Sequence, residues 1–375
     1  MSRRIRVVSV VGTRPNFMKI APVAAELGRR SGEFEHALVH TGQHYDDGMS
    51  RVFIEELGIP EPAHLLAVGS GSHAAQAARV MERLEPVLLE LAPDVVLVPG
   101  DVNSTMASAL VAAKLGLTVG HVEAGLRSFD RTMPEEINRV VADAVSDLLF
   151  THSPEAREHL LAEGRPAEAI HEVGNTMIDT LVAMRPRIEA ARVARSHGVE
   201  PGRFLLVTLH RPALVDGPRL GEALQALADV ARELPVVFPA HPRTLRSMQR
   251  QELRPPEGVR LVEPLGYLEF LGLLADAAGV LTDSGGIQEE ATFLGVPCLT
   301  LRENTERPIT VERGTNTVLG LRPERIREAP ELIQRARARP AGVPPLWDGR
   351  ASERIADVLS RERPLEPSGL AVSPV

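Results

Sequence analysis

Two doubly wound α/β domains, each built on a parallel sheet, are what this sequence predicts. Three observations lead there. Short runs rich in Val, Ile and Leu alternate with amphipathic stretches along most of the chain. Those runs are near-continuously apolar rather than apolar at every second residue, as strands buried on both faces are. The chain has 375 residues, and single cores stop growing beyond about 250–300 residues.

In the first half, strands are expected at Ile5–Val11, Glu35–Thr41, Asp94–Pro99, Val119–Glu123 and Leu148–Thr151. Helices are expected at Asn16–Arg29, Asp47–Leu57, His73–Leu91, Ser104–Leu115, Pro134–Ser146 and Pro154–Glu163. A long helical stretch, with Asn175 or Thr176 as its cap, runs to about His197. The alternation then restarts. Strands are expected at Phe204–Leu209, Pro235–Ala240, Val259–Val262, Gly279–Thr282 and Pro297–Leu301. Between them come helices at Leu220–Glu233, Arg243–Gln251, Tyr267–Ala277 and Ile287–Leu294. The domains are expected at 1–172 and 173–350, with the C-terminal stretch 351–375 returning to the first. Open parallel sheets take ligands at the carboxyl ends of their strands, so an active cleft is expected between the domains.

Composition narrows the function. The formal charge is −8 and the isoelectric point about 5.9, which disfavours a nucleic-acid partner. No apolar stretch reaches the ~20 residues of a membrane span, and the N-terminal apolar run is too short for a signal peptide. A single cysteine, Cys298, allows no intrachain disulfide and fits a reducing cytoplasm. Only Lys19 and Lys114 break a nearly complete use of arginine. Composition bias explains that pattern, but a lysine that survives it can serve as a compact point charge, which draws notice to Lys19.

The chemistry-bearing residues follow strands. The first strand ends in Gly12-Thr13-Arg14-Pro15, with Lys19 in the helix that follows. A tight turn, a helix N-terminus and two cations make an anion site, although surface cations on an ordinary turn read equally well. Asp101 follows Gly100 at the end of the third strand run, where it either caps a helix or projects into the cleft. Glu123 ends another strand, where a buried carboxylate is costly unless it is paired or used. Glu135 and Glu136 follow Pro134, and singly they suit a helix start. Together, three acidic loci occupy successive loops, and crowding of that kind separates an acid from a base.

The second half carries His210-Arg211 and His241-Pro242-Arg243 at two strand ends. The strongest local signal is Asp283-Ser284-Gly285-Gly286-Ile287-Gln288-Glu289-Glu290. Its glycines let a diphosphate approach backbone N–H groups, and Glu290 lies one turn on, where nucleotide folds place an acid for the ribose. His40, His44 and Cys298 lack the partners of a metal site, so no metal is expected.

In order along residues 6–320, these motifs resemble those of the non-hydrolysing UDP-N-acetylglucosamine 2-epimerases, which have the glycosyltransferase-B fold. The matching segments are Gly12-Thr13-Arg14-Pro15 with Lys19, Thr41-Gly42-Gln43-His44, Gly100-Asp101 and His121-Val122-Glu123-Ala124-Gly125-Leu126-Arg127. They continue with Pro134-Glu135-Glu136, Asn138-Arg139, Val173-Gly174-Asn175-Thr176, His210-Arg211, Asp283 through Ala291, and Arg302 with Glu306-Arg307-Pro308.

The resemblance implies Asp101, Glu123 and Glu135 as catalytic carboxylates, with His210 as a further catalytic or leaving-group-stabilising residue. It implies Arg14, Lys19, Arg139, Ser284, Gly285, Gly286 and Glu290 as UDP-binding groups, with Phe270 near the uracil. His241, in the second His–Arg cluster, is a candidate for substrate contact. The implied reaction is C2 epimerisation of UDP-GlcNAc to UDP-ManNAc through loss of UDP to a 2-acetamidoglucal. It needs no cofactor, and the implied assembly is a homodimer. Two departures stand out: Ala213 and Leu214 replace an acid and an amide soon after His210-Arg211, and Tyr45-Asp46 follow where many bacterial members place a second Gln. In the family those loops help a second UDP-sugar bind and activate, so dependence on such an activator is not expected here. Alternatives are an epimerase of a modified UDP-amino sugar, a hydrolysing epimerase, a glycosyltransferase of the same fold, and a catalytically silent nucleotide-sugar binder.

Overall fold

The protein is described from a computed structural model, covering residues 3–42, 56–338 and 342–362. The motif residues Gln43, His44, Tyr45 and Asp46, most of the expected helix Asp47–Leu57, and residues 363–375 lie outside the described residues. Contacts divide the chain into two compact units, 1–182 with 345–375, and 183–344. The sequence placed its first boundary at 172/173, ahead of helix Thr176–Ala191. The contact boundary falls within that helix, because Met177, Ile178 and Leu181 are buried on its first turns.

In the first unit the described strands are β1 (Ile5–Val11), β2 (Phe34–His40), β3 (His64–Leu65), β4 (Val95–Pro99), β5 (Thr118–Val122), β6 (Leu148–Thr151) and β7 (Ile170–Glu172). They form one parallel sheet in the order β3-β2-β1-β4-β5-β6-β7. The central strands of the sheet are buried on both faces, which is why they read as near-continuous apolar runs. Val7 and Val11 of β1 share a core with Phe17, Ile20 and Leu27 of helix Arg14–Arg29 and with Ile355 and Leu359 of helix Ala351–Arg361. Val8 and Val10 enter the opposite core with Val80, Leu84 and Leu88 of helix His73–Leu91.

The returning helix is anchored by charge as well as packing. Asp179 accepts from the backbone N–H of Ala351 at 3.1 Å and of Ser352 at 2.7 Å, and from the Ser352 hydroxyl at 2.7 Å. It thus caps a helix whose first N–H groups have no internal partner. Asn175, one of the two expected caps of its own helix, accepts from Met177 N–H at 2.9 Å. That helix stops at Ala191 and resumes as Val193–Ser196, because Arg192 takes a left-handed φ of 48° that a continuous helix cannot contain.

In the second unit the described strands are β8 (Leu205–Thr208), β9 (Val236–Pro239), β10 (Val259–Val262), β11 (Gly279–Thr282), β12 (Cys298–Thr300) and β13 (Asn316–Val318). They too are parallel, in the order β10-β9-β8-β11-β12-β13. Leu205, Val207, Phe238 and Leu281 join Leu220, Leu224 and Leu227 of helix Arg219–Ala231 in its main core. The short strands β3, β7 and β13 are additions to the sequence reading. Each has two or three residues, too few for a periodic signal.

Each sheet reverses its winding once, between β1 and β4 in the first unit and between β8 and β11 in the second. At such a point the two connections leave in opposite directions and open a crevice at the strand ends. The motifs that follow β1, β4, β8 and β11 stand at these reversals.

Among the described residues, no helix is long and apolar enough to cross a membrane.

Candidate active site

In the first unit the turn after β1 is tied to the end of β4. Asn16 accepts from the backbone N–H groups of Gly12 and Thr13, both at 3.1 Å, and donates to the Pro99 carbonyl at 2.9 Å. Gly100 follows with a φ of +69°, and a Cβ there would lie 2.8 Å from Lys19 Nζ. Glycine is therefore required twice over, for the left-handed turn and for the approach of the lysine.

Lys19 is buried, and its ammonium is ion-paired with Glu123. Glu123 is itself buried and has a φ of +75°. A non-glycine residue held there stores strain that the surroundings must impose, as is common at functional positions. Its N–H and that of Ala124 both donate to the Phe150 carbonyl at the end of β6, at 3.1 and 3.0 Å, which imposes the turn.

Asp101 is partly exposed and receives Arg139 Nε at 3.1 Å and a terminal guanidinium nitrogen at 2.7 Å on the same oxygen. The other end of Arg139 meets Glu136 at 2.5 Å. Glu136 also accepts from the backbone N–H groups of Ser128 and Phe129 at 2.9 and 2.8 Å. Neighbours on one helix thus diverge. Glu136 turns inward as a loop anchor, while Glu135 is half-buried and has no ion-pair partner among the described residues. Arg14, at the first position of helix Arg14–Arg29, is half-buried on the same rim of the sheet.

Two of the groups implied as UDP ligands therefore engage carboxylates of the first unit: Lys19 with Glu123, and Arg139 between Asp101 and Glu136.

In the second unit β8 and β11 run side by side, which brings His210-Arg211 against Asp283. Asp283 accepts from the backbone N–H groups of His210 and Arg211 at 2.8 and 2.7 Å. Its other oxygen lies 2.9 Å from His210 Nδ1. Burial pushes the Asp283 carboxyl up, but the His210 side chain and the two backbone N–H groups outweigh it and hold the carboxyl below its usual range. His210 is thus oriented by a buried carboxylate at Nδ1 and retains 37% side-chain exposure. The His241 ring is 5.4 Å away between centroids, and its Nδ1 accepts from Arg243 N–H at 3.1 Å.

Ser284 stands at the N-cap position of helix Gly285–Leu294 without a side-chain capping bond, and the helix begins two residues earlier than expected. A Cβ on Gly285 would overlap the Arg307 guanidinium and lie 2.9 Å from Glu306 Oε1. Beneath this turn Glu306 binds Arg302 and Arg307, each at 2.6 Å, and Arg307 reaches Glu289 at 3.0 Å.

One turn into the helix, Glu290 is buried and accepts from the Tyr267 hydroxyl at 2.7 Å. Burial lifts its carboxyl from 4.5 to about 8, so it is mainly neutral at pH 7. Phe270, on the neighbouring helix Tyr267–Asp276, is half-buried.

A family model described as UDP-N-acetylglucosamine 2-epimerase matches residues 26–360. The chain belongs to the UDP-N-acetylglucosamine 2-epimerase family. It is an epimerase by that membership, and its two parallel-sheet units are those of the glycosyltransferase-B-like fold. It is 40% identical over 361 residues to a UDP-N-acetylglucosamine 2-epimerase of Methanocaldococcus jannaschii, covering 94% of this chain and 98% of that one. It is 39% identical over 363 residues to a UDP-2,3-diacetamido-2,3-dideoxy-D-glucuronate 2-epimerase of Pseudomonas aeruginosa, covering 95% of this chain and all of that one. The crystal structure of the M. jannaschii UDP-GlcNAc 2-epimerase in complex with UDP-GlcNAc and UDP matches with a TM-score of 0.85 and 38% identity, covering 95% of this chain and all of that one.

Within this epimerase two positions carry weight that the sequence does not reveal. Asp283 stands out there only as part of a motif, and its service to His210 depends on strand adjacency that the sequence does not display. Asp143 belongs to none of the motifs. It lies 2.6 Å from His121 on β5. A carboxylate at mid-helix was the one available signal, since a buried Asp there needs partners. At the one departure from the family pattern that falls within the described residues, Leu214 is buried in the core and Ala213 is exposed. Among the described residues no group of three or more His, Cys, Asp or Glu is arranged to hold a metal ion.

Proposed function

We propose that the chain interconverts UDP-GlcNAc and UDP-ManNAc by eliminating UDP and adding it back. The single observation that carries this reading is the set of carboxylates Asp101 and Glu123, just past the ends of neighbouring strands of one parallel sheet and each with a cation in contact, and Glu135, in the first turn of the helix that follows Glu123. A C2 proton is too weakly acidic for direct removal to be an efficient route. Cleaving the anomeric C1–O bond builds positive charge at C1 and makes the proton easier to take.

In the forward step a carboxylate takes the C2 proton, the C–H pair becomes the C1=C2 bond, and the C1–O pair leaves with UDP. The product pair is UDP and 2-acetamidoglucal. Re-addition reverses the step, with a proton delivered to the opposite face of C2. Glu123 is assigned as the base, because the Lys19 ammonium accompanies its carboxylate. Glu135, with no ion-pair partner among the described residues, is assigned to the opposite proton transfer. Each transfer is worth about 10²–10⁴-fold.

Arg139 positions Asp101, and Arg14 adds positive charge at the adjoining helix start. In the second unit the departing diphosphate is assigned to His210, held ready by Asp283, and to the Ser284-Gly285-Gly286 helix start, with its positive dipole end. His241 stands beside His210 for the same anion, Glu290 meets the ribose, and Phe270 lies near the uracil.

The test is positional isotope exchange. UDP-GlcNAc carrying 18O in the anomeric C–O–P bridge should scramble that label into the non-bridging β-phosphate positions at least as fast as product forms. Epimerisation with the bridge label retained would rule out C–O cleavage.

A second reading is favoured by the near-equal identity to the P. aeruginosa relative. In it the same machinery acts on a UDP-amino sugar with a 3-acetamido group and a C6 carboxylate. A higher kcat/KM for that sugar than for UDP-GlcNAc would select it.

A further inference from the structure

Three structural supports of the first unit meet at one buried ring. His121, on β5 and fully buried, places Nε2 2.7 Å from the Gly100 carbonyl and Nδ1 2.6 Å from Asp143 Oδ1. Gly100 precedes Asp101. The other Asp143 oxygen accepts from Gly125 N–H at 3.1 Å and pairs with Arg127 at 2.8 Å. Gly125 closes the turn that holds Glu123 at its strained φ. Asp143 rides on helix Pro134–Val145, which also carries Glu135 and Arg139. From that helix Asn138 donates to the Asp101 carbonyl at 2.9 Å. The peptide groups on both sides of Asp101 are therefore pinned by side chains, and one of those pins is a histidine.

Hydrogen-bond capacity fixes the form of that histidine. The Gly100 carbonyl can only accept. Asp143 receives the Gly125 N–H and the Arg127 guanidinium, and a carboxylate serves both. With Asp143 as a carboxylate, both ring nitrogens face acceptors, and a ring that carries a proton on each satisfies them both.

We infer that His121 is a positioning residue, held as a buried imidazolium, that with Asp143 locks the turns presenting Asp101 and Glu123. Arg127 completes the charge balance: its guanidinium joins Asp143 to Glu163, at 2.6 Å from the latter. Two cations and two carboxylates alternate in one chain, so the imidazolium is compensated where it stands. A neutral ring facing a carboxylate would leave either the Gly100 carbonyl or Asp143 Oδ1 without its ring donor, and a buried acceptor left so is expensive. The kinetic half of the inference rests on the catalytic reading of Asp101 and Glu123. The protonation half does not.

Two experiments separate the halves. A neutron structure of the full chain at pH 7 should show deuterium on both Nδ1 and Nε2 of His121. One bare ring nitrogen would overturn the inference whether or not the protein epimerises UDP-GlcNAc.

For kinetics, His121→Gln offers one donor and one acceptor in place of two donors. Its kcat should fall about 10–100-fold while UDP affinity, measured by calorimetry, stays within about twofold, because the diphosphate-binding helix start lies in the second unit. Adding Asp143→Asn supplies the missing donor and should restore at least a third of the lost logarithm of kcat. A single variant with kcat within twofold of the wild type would overturn the positioning role. So would a double variant no better than the single one with both proteins folded. Failure of the wild-type protein to act on any UDP-amino sugar would instead count against the proposed function and leave the neutron result to stand alone.

Discussion

Replacing Asp283 with Asn removes one charge and almost no volume, and the hydrogen-bond geometry around it dictates the outcome. One carboxylate oxygen accepts from the backbone N–H groups of His210 and Arg211 at 2.8 and 2.7 Å, and the other lies 2.9 Å from His210 Nδ1 in an ion-pair contact. In the variant the amide oxygen must stay with the two buried N–H groups, since leaving both unpaired costs about 1–3 kcal/mol each. The amide NH₂ is then forced toward Nδ1. That ring position becomes an acceptor, the proton moves to Nε2, and an imidazolium loses its partner. A hydrogen bond to a charged group is worth about 1.5–3 kcal/mol, which at 1.36 kcal/mol per decade is about 10–150-fold in kcat. The assay is initial rate at saturating UDP-GlcNAc, with UDP affinity and melting temperature measured alongside. The expectation is a kcat loss in that range with melting temperature nearly unchanged. In the wild type this contribution should persist down to pH values below the usual carboxylate range, because Asp283 titrates low. A kcat within twofold of the wild type would refute the Asp–His assignment.

Glu290 makes stability depend on pH. Its folded value of about 8 lies above its unfolded 4.5, so the folded state holds a proton that the unfolded state releases, and stability falls as pH rises from about 4.5 to about 8. Each unit is on the order of 1.4 kcal/mol, so Glu290→Gln should match the wild type in urea denaturation at pH 4 and exceed it at pH 9. Equal differences at both values would show that the carboxyl is not neutral in the folded protein. Asp179→Ala should lower stability by about 2–4 kcal/mol, through the orphaned N–H groups of Ala351 and Ser352. Calorimetric melting checks this, and a loss below about 1 kcal/mol would show that packing of Ile355 and Leu359 alone holds the returning helix.

How far the sequence could be read depends on the range of each signal. Strands such as Ile5–Val11, Leu148–Thr151 and Gly279–Thr282 announce themselves because burial on both faces makes them mostly apolar. The motifs at their carboxyl ends are visible for the same reason: a polar residue stands out where an apolar run stops. Pairings across the fold are not visible. Asp283 meets His210 across 73 positions, and Asp179 meets Ser352 across 173. Each contact depends on a strand order or a returning helix that local pattern does not encode. Lys19 stands out in the sequence as a compact charge, and compactness is what its place above Gly100 requires. Its partner, Glu123, could be found only once β4 and β5 were known to be neighbours. Glu135 and Glu136 look equivalent at a helix start, yet one residue of helical rotation sends Glu136 to the Ser128 and Phe129 N–H groups and leaves Glu135 on the rim.

Incubation of the protein with UDP-GlcNAc in D₂O, followed by proton NMR, tests the central claim most directly. Growth of UDP-ManNAc signals with deuterium at C2 is the predicted result, and it should vanish in Glu123→Gln. Conversion that keeps the original hydrogen at C2 would contradict proton abstraction by a carboxylate. No conversion, with UDP still bound, would contradict the choice of sugar.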